Sequence, residues 1–522
     1  MTDRDASGRA RSDTEAGHAA TRRDVQPFFT DVIVVGGGGS GLAAAIEAAK
    51  SGRSVVLLEK AEQLGGTTAL SIGSISATLT PHQINKGIKD SPAGHCEDMP
   101  KFAAGLDATD NHELRTILTD NVPETVKWLM SLGVEFFGPM PEAPHRLPRM
   151  HNVIPSSRAY IAHCAREARR VGVDIRTGVQ AEGLIIEDGS VRGVHVKTQS
   201  GATKDYRCNG AVVLATGDYS ANPHYKHDLI APSFSRIQPV NPNSTGDGHR
   251  MALELGASII NGHLAHTGVR FVRPPRNSLA QALPASRLLA KAIRVAMEKV
   301  PMRLLRPFLM KFLVTVMEPA PKLFQAGAII IGSDGQLLGD GDSDRASALA
   351  ARDDQTGYIL IDNDIAKKFD AWPNYISTAP GVAYAYLSDY RRTRPDIYHV
   401  SPDLAGVAQN LGSPVDALEA TIAEVNRRRQ NTEPKPLSDG PFTLLGPVKL
   451  LITFTDGGLA VDSRHRVLGS DKKPIPGLYA AGSTGQGGLL LEGHGHHLGW
   501  AFTSGRRAGR FAACEVISST EL

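Results

Sequence analysis

The segment from Asp31 to Lys50 constrains this chain more than any other. Four branched apolar residues, Val32 to Val35, read as a fully buried parallel strand, and the alanine-rich run after Gly41 reads as a helix. Between them Gly36, Gly38 and Gly41 fit G-x-G-x-x-G, with Gly39 and Ser40 inside the turn. The first glycine makes the turn, the second lets a pyrophosphate approach the backbone, and the third lets helix and strand pack closely. The phosphates then sit at the helix N-terminus. A second strand, Ser54 to Leu58, ends in Glu59-Lys60, where an acidic partner for a ribose hydroxyl is expected. The prediction is a dinucleotide site on an α/β fold.

A chain of 522 residues is too long for one core, so two or three domains are expected. A formal net charge of +3 gives no basis for nucleic-acid binding. The four cysteines (Cys96, Cys164, Cys208, Cys514) are far apart and form no C-x-x-C, which argues against a zinc site or a disulfide framework. There is no long uncharged apolar run and no signal-peptide core, so a cytoplasmic location is expected. Residues 1–28, rich in charge and small side chains, read as a disordered tail.

Further along, Leu64 to Gly73 is rich in glycine and threonine (Gly65, Gly66, Thr67, Thr68). A helix from Ser156 to Val171 precedes strands at Val173–Arg176, Leu184–Glu187 and Val191–Thr198. The buried strand of residues 210–214 then runs into a turn at Ala215, Thr216, Gly217 and Asp218. Asn243 to Gly248 opens another helix, where Asp247 stands either as an N-terminal cap or as a cofactor contact. Between Arg287 and Lys322 there are eight basic residues and two acidic ones over an apolar stripe. This suits either a cap-domain helix pair or a helix lying on a membrane surface. Near the C-terminus the strand of residues 478–481 reaches Gly482 and more glycine-rich sequence.

With these motifs in place, residues 29 to 515 resemble the fumarate reductase and 3-ketosteroid dehydrogenase flavoproteins. The resemblance implies a Rossmann-like FAD-binding domain with a smaller inserted α+β cap: 29–260 and 450–522 for the former, 261–449 for the latter. It also implies that Gly65 to Thr68 wrap the flavin end of FAD and that Ala215 to Gly217, Asp247, Gly482, Gly499, Trp500 and Ala501 complete the site. Thr67 and Thr68 stand where some relatives carry a flavin-linking histidine, so the cofactor is expected to be non-covalent.

The catalytic residues of those families transfer unevenly. The catalytic arginine of fumarate reductases falls on Ser343, with Arg345 nearby. Their carboxylate-binding arginine falls on His497, and a histidine on Thr453 or Phe454; His266 matches. The glycines of residues 493, 495 and 499 fall on those of ketosteroid dehydrogenases, but their tyrosine falls on Leu491. The expected function is therefore dehydrogenation, or the reverse reduction, of a C–C bond beside a ketone in an apolar, cyclic molecule. An external electron acceptor or donor completes the cycle. A reductase of unsaturated acids and a non-redox hydratase or isomerase are the alternatives.

In the loop Glu492 to His497, the Gly495 N–H and at least one of His494, His496 and His497 are expected to polarise the ketone, as imidazoles titrating near neutral pH. No metal is expected there, since histidines so close in a loop rarely face one centre. A helix is expected from about Trp500, aimed at the flavin.

Overall fold

The computed structural model describes residues 28–515 apart from 104, 273–282, 302–303, 307–309, 311–313, 315–316, 340–341 and 380–382. The expected tail thus lies outside the described residues, save Phe28, which opens the first strand. That strand, Phe28–Val35, ends in four buried residues, as its branched apolar run requires on a sheet covered on both faces. It pairs in parallel with Val55–Glu59 on one side and Thr203–Leu214 on the other. Asp174–Thr177 extends the sheet beyond the former, and Pro474–Ala480 beyond the latter, both in parallel. The two ends of the chain therefore meet in one sheet: Val34 pairs with Val213, and Val213 with Tyr479. The hairpin Val179–Glu187 and Ser190–Thr198 adds an antiparallel flap to Thr203–Leu214.

A second sheet centres on the long strand Phe442–Thr455. Ala265–Phe271, Thr356–Ile361 and Tyr398–Ser401 pair antiparallel with it, and Ile329–Ile331 pairs with Thr356–Ile361. The hydrophobic interior is correspondingly double. One core spans residues 32–257 and 459–513, the other residues 237–452. A small third sheet, Ser74–Ser76 with Met150–Ile154 and Glu135–Met140, backs the C-terminal loop. Among the described residues no helix is long and apolar enough to cross a membrane.

Two helices form the floor under the glycine turn. Gly39–Lys50 is almost wholly buried, and the C-terminal helix His496–Cys514 packs along it. The latter starts four residues before the expected Trp500, because Gly495, with φ of 94°, breaks the loop and caps it. Contact between the helices depends on residues with no side chain: a Cβ on Gly509 would lie 2.1 Å from the Ala44 carbonyl oxygen. Beside this contact the buried Glu47 carboxylate accepts from Arg506 Nε at 3.3 Å and Arg510 Nε at 2.6 Å.

Alanine at position 509 improves intrinsic helix propensity by up to ~1 kcal/mol, but the overlap with Ala44 must push two buried helices apart at a cost of ~1–3 kcal/mol. Gly509→Ala is therefore expected to lower the thermal midpoint. A midpoint at or above the parent's would contradict the packing described.

Candidate active site

The glycine turn forms one wall of a cleft that opens to solvent. Its lining includes Gly36, Gly38, Gly39, Ser40, Glu59, Lys60, Gly66, Thr67 and Thr68. From the other chain segments come Ala215, Thr216, Gly217, Asp247, Gly482 and Ala501. The turn itself shows where a ligand fits. A Cβ on Gly38 would meet only the Gly65 carbonyl oxygen, 3.9 Å away, so that face is open to the cavity. A Cβ on Gly41 would lie 1.9 Å from the Gly36 carbonyl oxygen, so this glycine serves the strand–helix contact behind the wall. Gly65, Gly499 and Trp500 also stand behind the lining; the buried Trp500 indole donates to the Gly482 carbonyl at 3.2 Å.

Polar side chains hold the cradle open. Glu59 accepts from the Gly37 N–H at 2.7 Å and the Ala61 N–H at 2.8 Å, which stiffens the turn from behind. Asp247 does not cap its helix. Gly246 holds the cap position, and the Asp247 carboxylate instead takes Lys60 Nζ at 2.9 Å and the Thr245 hydroxyl at 2.8 Å. Asn241, which no sequence motif singles out, donates to the hydroxyls of Thr67 (2.9 Å) and Ser244 (3.0 Å).

Beside Gly217 the buried Asp218 carboxylate accepts from the Thr455 N–H at 2.9 Å, tying the end of the long strand to the cradle. The next residue, Asp456, organises a polar cluster. It is almost fully buried, and His266 Nε2 lies 2.6 Å from its Oδ2, while Gln486 Nε2 donates to its Oδ1 at 2.8 Å. The same His266 nitrogen lies 3.1 Å from Glu492 Oε1. His266 reaches this place because its strand pairs with the long one, Ala265 opposite Thr455 and His266 opposite Phe454. Phe454 in turn lies against both imidazoles, 4.3 Å from His266 and 4.0 Å from His497 between ring centroids.

The charge states differ sharply within this group. Burial opposes a charge on His266, but the hydrogen bonds to Asp456 and Glu492 outweigh it and push its pKa up to about 10. Burial likewise opposes ionisation of Asp456, and the His266 hydrogen bond overcomes it, so its carboxyl is held below the usual range. His497 has no such partner. Burial brings its pKa down to about 4, and its Nε2, 3.8 Å from Asp456 Oδ1, is buried without a hydrogen-bond partner.

Of the three loop histidines, at least one of which was expected at the ketone, the other two have partners of their own. His494 Nδ1 lies 2.5 Å from Glu142 Oε1, a carboxylate that also accepts the His494 N–H at 3.0 Å. His496 donates through Nδ1 to the Glu492 carbonyl at 2.5 Å, and its Nε2 meets His95 Nε2 at 3.1 Å; burial lowers its pKa. His95, His145 and His496 crowd together, yet they suit a metal poorly. Arg149 can only donate, and it donates to His145 Nδ1 at 2.9 Å, so His145 Nε2 carries the proton and offers no lone pair.

Gly495 packs onto the strand below, where a Cβ would lie 2.4 Å from the Ser76 nitrogen. Arg345 is not among the groups gathered at His266. It stacks over Phe324 at 4.3 Å in the second core and lines a separate cavity with Arg428 and Arg429. Ser343 is described only in its backbone. Asp456 and Phe454 went unrecognised as site residues; the signal available was their place just before the Gly457-Gly458 pair at the end of an apolar run.

The FAD binding domain family model matches residues 31–490. A vinyl phenol reductase from Lactiplantibacillus plantarum is 27% identical over 506 residues, 92% of this chain and 96% of the relative. The open conformation of a flavocytochrome c3 fumarate reductase superposes with a TM-score of 0.71 at 24% identity, covering 94% of this chain and 80% of that one. A 3-ketosteroid-Δ4-(5α)-dehydrogenase from Rhodococcus jostii superposes with a TM-score of 0.59 at 23% identity, covering 95% and 99%.

FAD is the cofactor of this fold, and the residues of the cradle would hold it, the open face of Gly38 leaving room for a pyrophosphate. Thr67 and Thr68 offer no imidazole for a flavin link, so acid precipitation should leave the yellow chromophore in the supernatant; colour retained on the protein would contradict this. Gly38→Leu should yield protein without flavin, as read from the ratio of visible to ultraviolet absorbance.

Proposed function

The chain belongs to the FAD binding domain family, and on that premise we propose that this FAD-dependent oxidoreductase works on the C–C bond beside a neutral ketone. The saturated ketone and the conjugated enone are its substrate pair, with an external carrier supplying or removing the electrons. Bound FAD supplies hydride transfer at its ring nitrogen, and the chain must orient the substrate and move one proton.

The observation that carries the proposal is the charge of the His266 cluster. Two carboxylates, Asp456 and Glu492, face one imidazolium, and the largest charge effects on His266, Asp456 and His497 come from within this set and its neighbour His496. A carboxylate substrate brought within ~4 Å of the surplus negative charge meets roughly 4 kcal/mol of repulsion at an effective dielectric constant of ~20. A neutral carbonyl meets none. This weighs against the reading as a reductase of unsaturated acids, although relatives named for fumarate or vinyl phenol reduction support chemistry at a C=C bond.

Within the site two groups divide the work. His497, neutral at physiological pH and with part of its side chain exposed, offers a ring N–H to the ketone oxygen and stabilises charge developing there. His266 holds the proton, because its Nε2 is shared by two carboxylates and its Nδ1 has no partner among the described residues. Phe454 lies against both rings and adds an apolar surface beside them. The non-redox alternative has no observation in its favour.

Two outcomes are expected in anaerobic assays of the bound flavin. His497→Ala should retain fold and FAD but lower the rate of bleaching by a saturated cyclic ketone ~10²-fold or more; the parent rate would exclude His497. Because His266 is protonated below about pH 10, kcat/KM for enone reduction should hold through neutrality and fall only on the alkaline side. Asp456→Asn removes the main partner of the imidazolium, so the alkaline limb should move down toward the ordinary histidine value of ~6.5. An unmoved limb would remove His266 from the proton path.

A further inference from the structure

The helix Arg287–Lys299 lies on the outer side of the small three-stranded sheet, against Glu135–Met140 and Met150–Ile154. Its apolar stripe is divided between two faces. Leu289, Ile293, Ala296 and Met297 are half-buried toward the body, and Ala290 is buried. The opposite face, at three- and four-residue spacing, carries Leu288, Lys291, Val295 and Lys299. Leu288 is 80% exposed and Val295 47%. Only one side of the helix is therefore explained by packing.

The neighbouring short helix Pro81–Asn85 rests on the same strand, and Arg294 and Glu298 act on the charge of its His82. It presents Ile84, 62% exposed, and is followed by the exposed Lys86. Large aliphatic side chains thus stand between lysines on two adjacent elements. The acidic groups close by are already paired. Glu135 lies 3.5 Å from both Arg287 and Arg294, and Glu298 3.1 Å from Arg294. The lysines keep their charge outward.

We propose that this face, Ile84, Leu288 and Val295 among Lys86, Lys291 and Lys299, is a docking surface for an anionic lipid bilayer. The aliphatic side chains enter the acyl boundary while the ammonium groups meet lipid headgroups on flexible stems. A soluble acidic protein would satisfy the lysines but would leave a protruding Leu288 needing a matching pocket. A bilayer accepts both together. The bound face is one thin sheet away from the active-site loop, since Ser76 of that sheet lies directly under Gly495. An apolar substrate held in the membrane would then be delivered close to the site. The docking proposal itself does not rest on the substrate reading.

The test is co-sedimentation of the flavin-loaded protein with vesicles of phosphatidylcholine alone or mixed with phosphatidylglycerol. Binding is expected only to the anionic vesicles and should weaken strongly as salt is raised. At roughly fivefold per cation near an anionic surface, Lys291→Glu with Lys299→Glu should weaken it at least ~25-fold. Leu288→Ser should weaken it too, without changing the flavin spectrum or thermal midpoint, because the side chain is exposed. Absence of vesicle binding at low salt would overturn the proposal. So would binding that survives the charge reversal, or binding indifferent to Leu288→Ser, which would mark a purely electrostatic contact.

Discussion

The site depends on one ladder, the antiparallel pairing of Ala265–Phe271 with the long strand Phe442–Thr455. Its register sets His266 opposite Phe454 and ends the strand at Thr455, whose N–H is held by the buried Asp218 beside the nucleotide cradle. A shift of one residue would turn His266 to the other face of its strand and separate it from Asp456. The same strand belongs to the second core, and Asp456, the residue after its end, accepts from Gln486 in the C-terminal glycine-rich segment. The cofactor cradle and His266 are thus coupled through the strand ladder and the hydrogen bond from Thr455 to Asp218.

A second dependence is electrostatic. Burial favours neutral histidines at this depth, and His497 and His496 follow that rule. His266 departs from it because two carboxylates accept from a single nitrogen, and the gain exceeds the desolvation cost. The result is a pair of imidazoles around one phenyl ring, one charged and one neutral. Environment, rather than residue type, separates their roles.

The cradle was legible in the sequence because local rules determine it. Val32 to Val35, Gly36 to Gly41 and Glu59 sit in one continuous stretch, with a strand period, a turn demand and a helix that leave few alternatives. The place of Arg345 and the partners of His494 and His496 were not legible, for the opposite reason. Adjacency in the chain says nothing about where side chains point once Gly495 turns the backbone into a helix. Asp456 is 190 residues from His266 and 36 from Glu492, and no spacing rule spans such gaps. The basic stretch after Arg287 showed its charge in the sequence, but which half of its apolar residues packs inward needed the fold.

The central claim is that the surplus carboxylate at His266 selects a neutral substrate. Stopped-flow reoxidation of the reduced holoenzyme by a cyclic enone and by fumarate at neutral pH compares the two directly. A repulsion of roughly 4 kcal/mol corresponds to about a thousandfold preference in second-order rate for the enone. Reoxidation by fumarate as fast as, or faster than, by the enone would contradict the account.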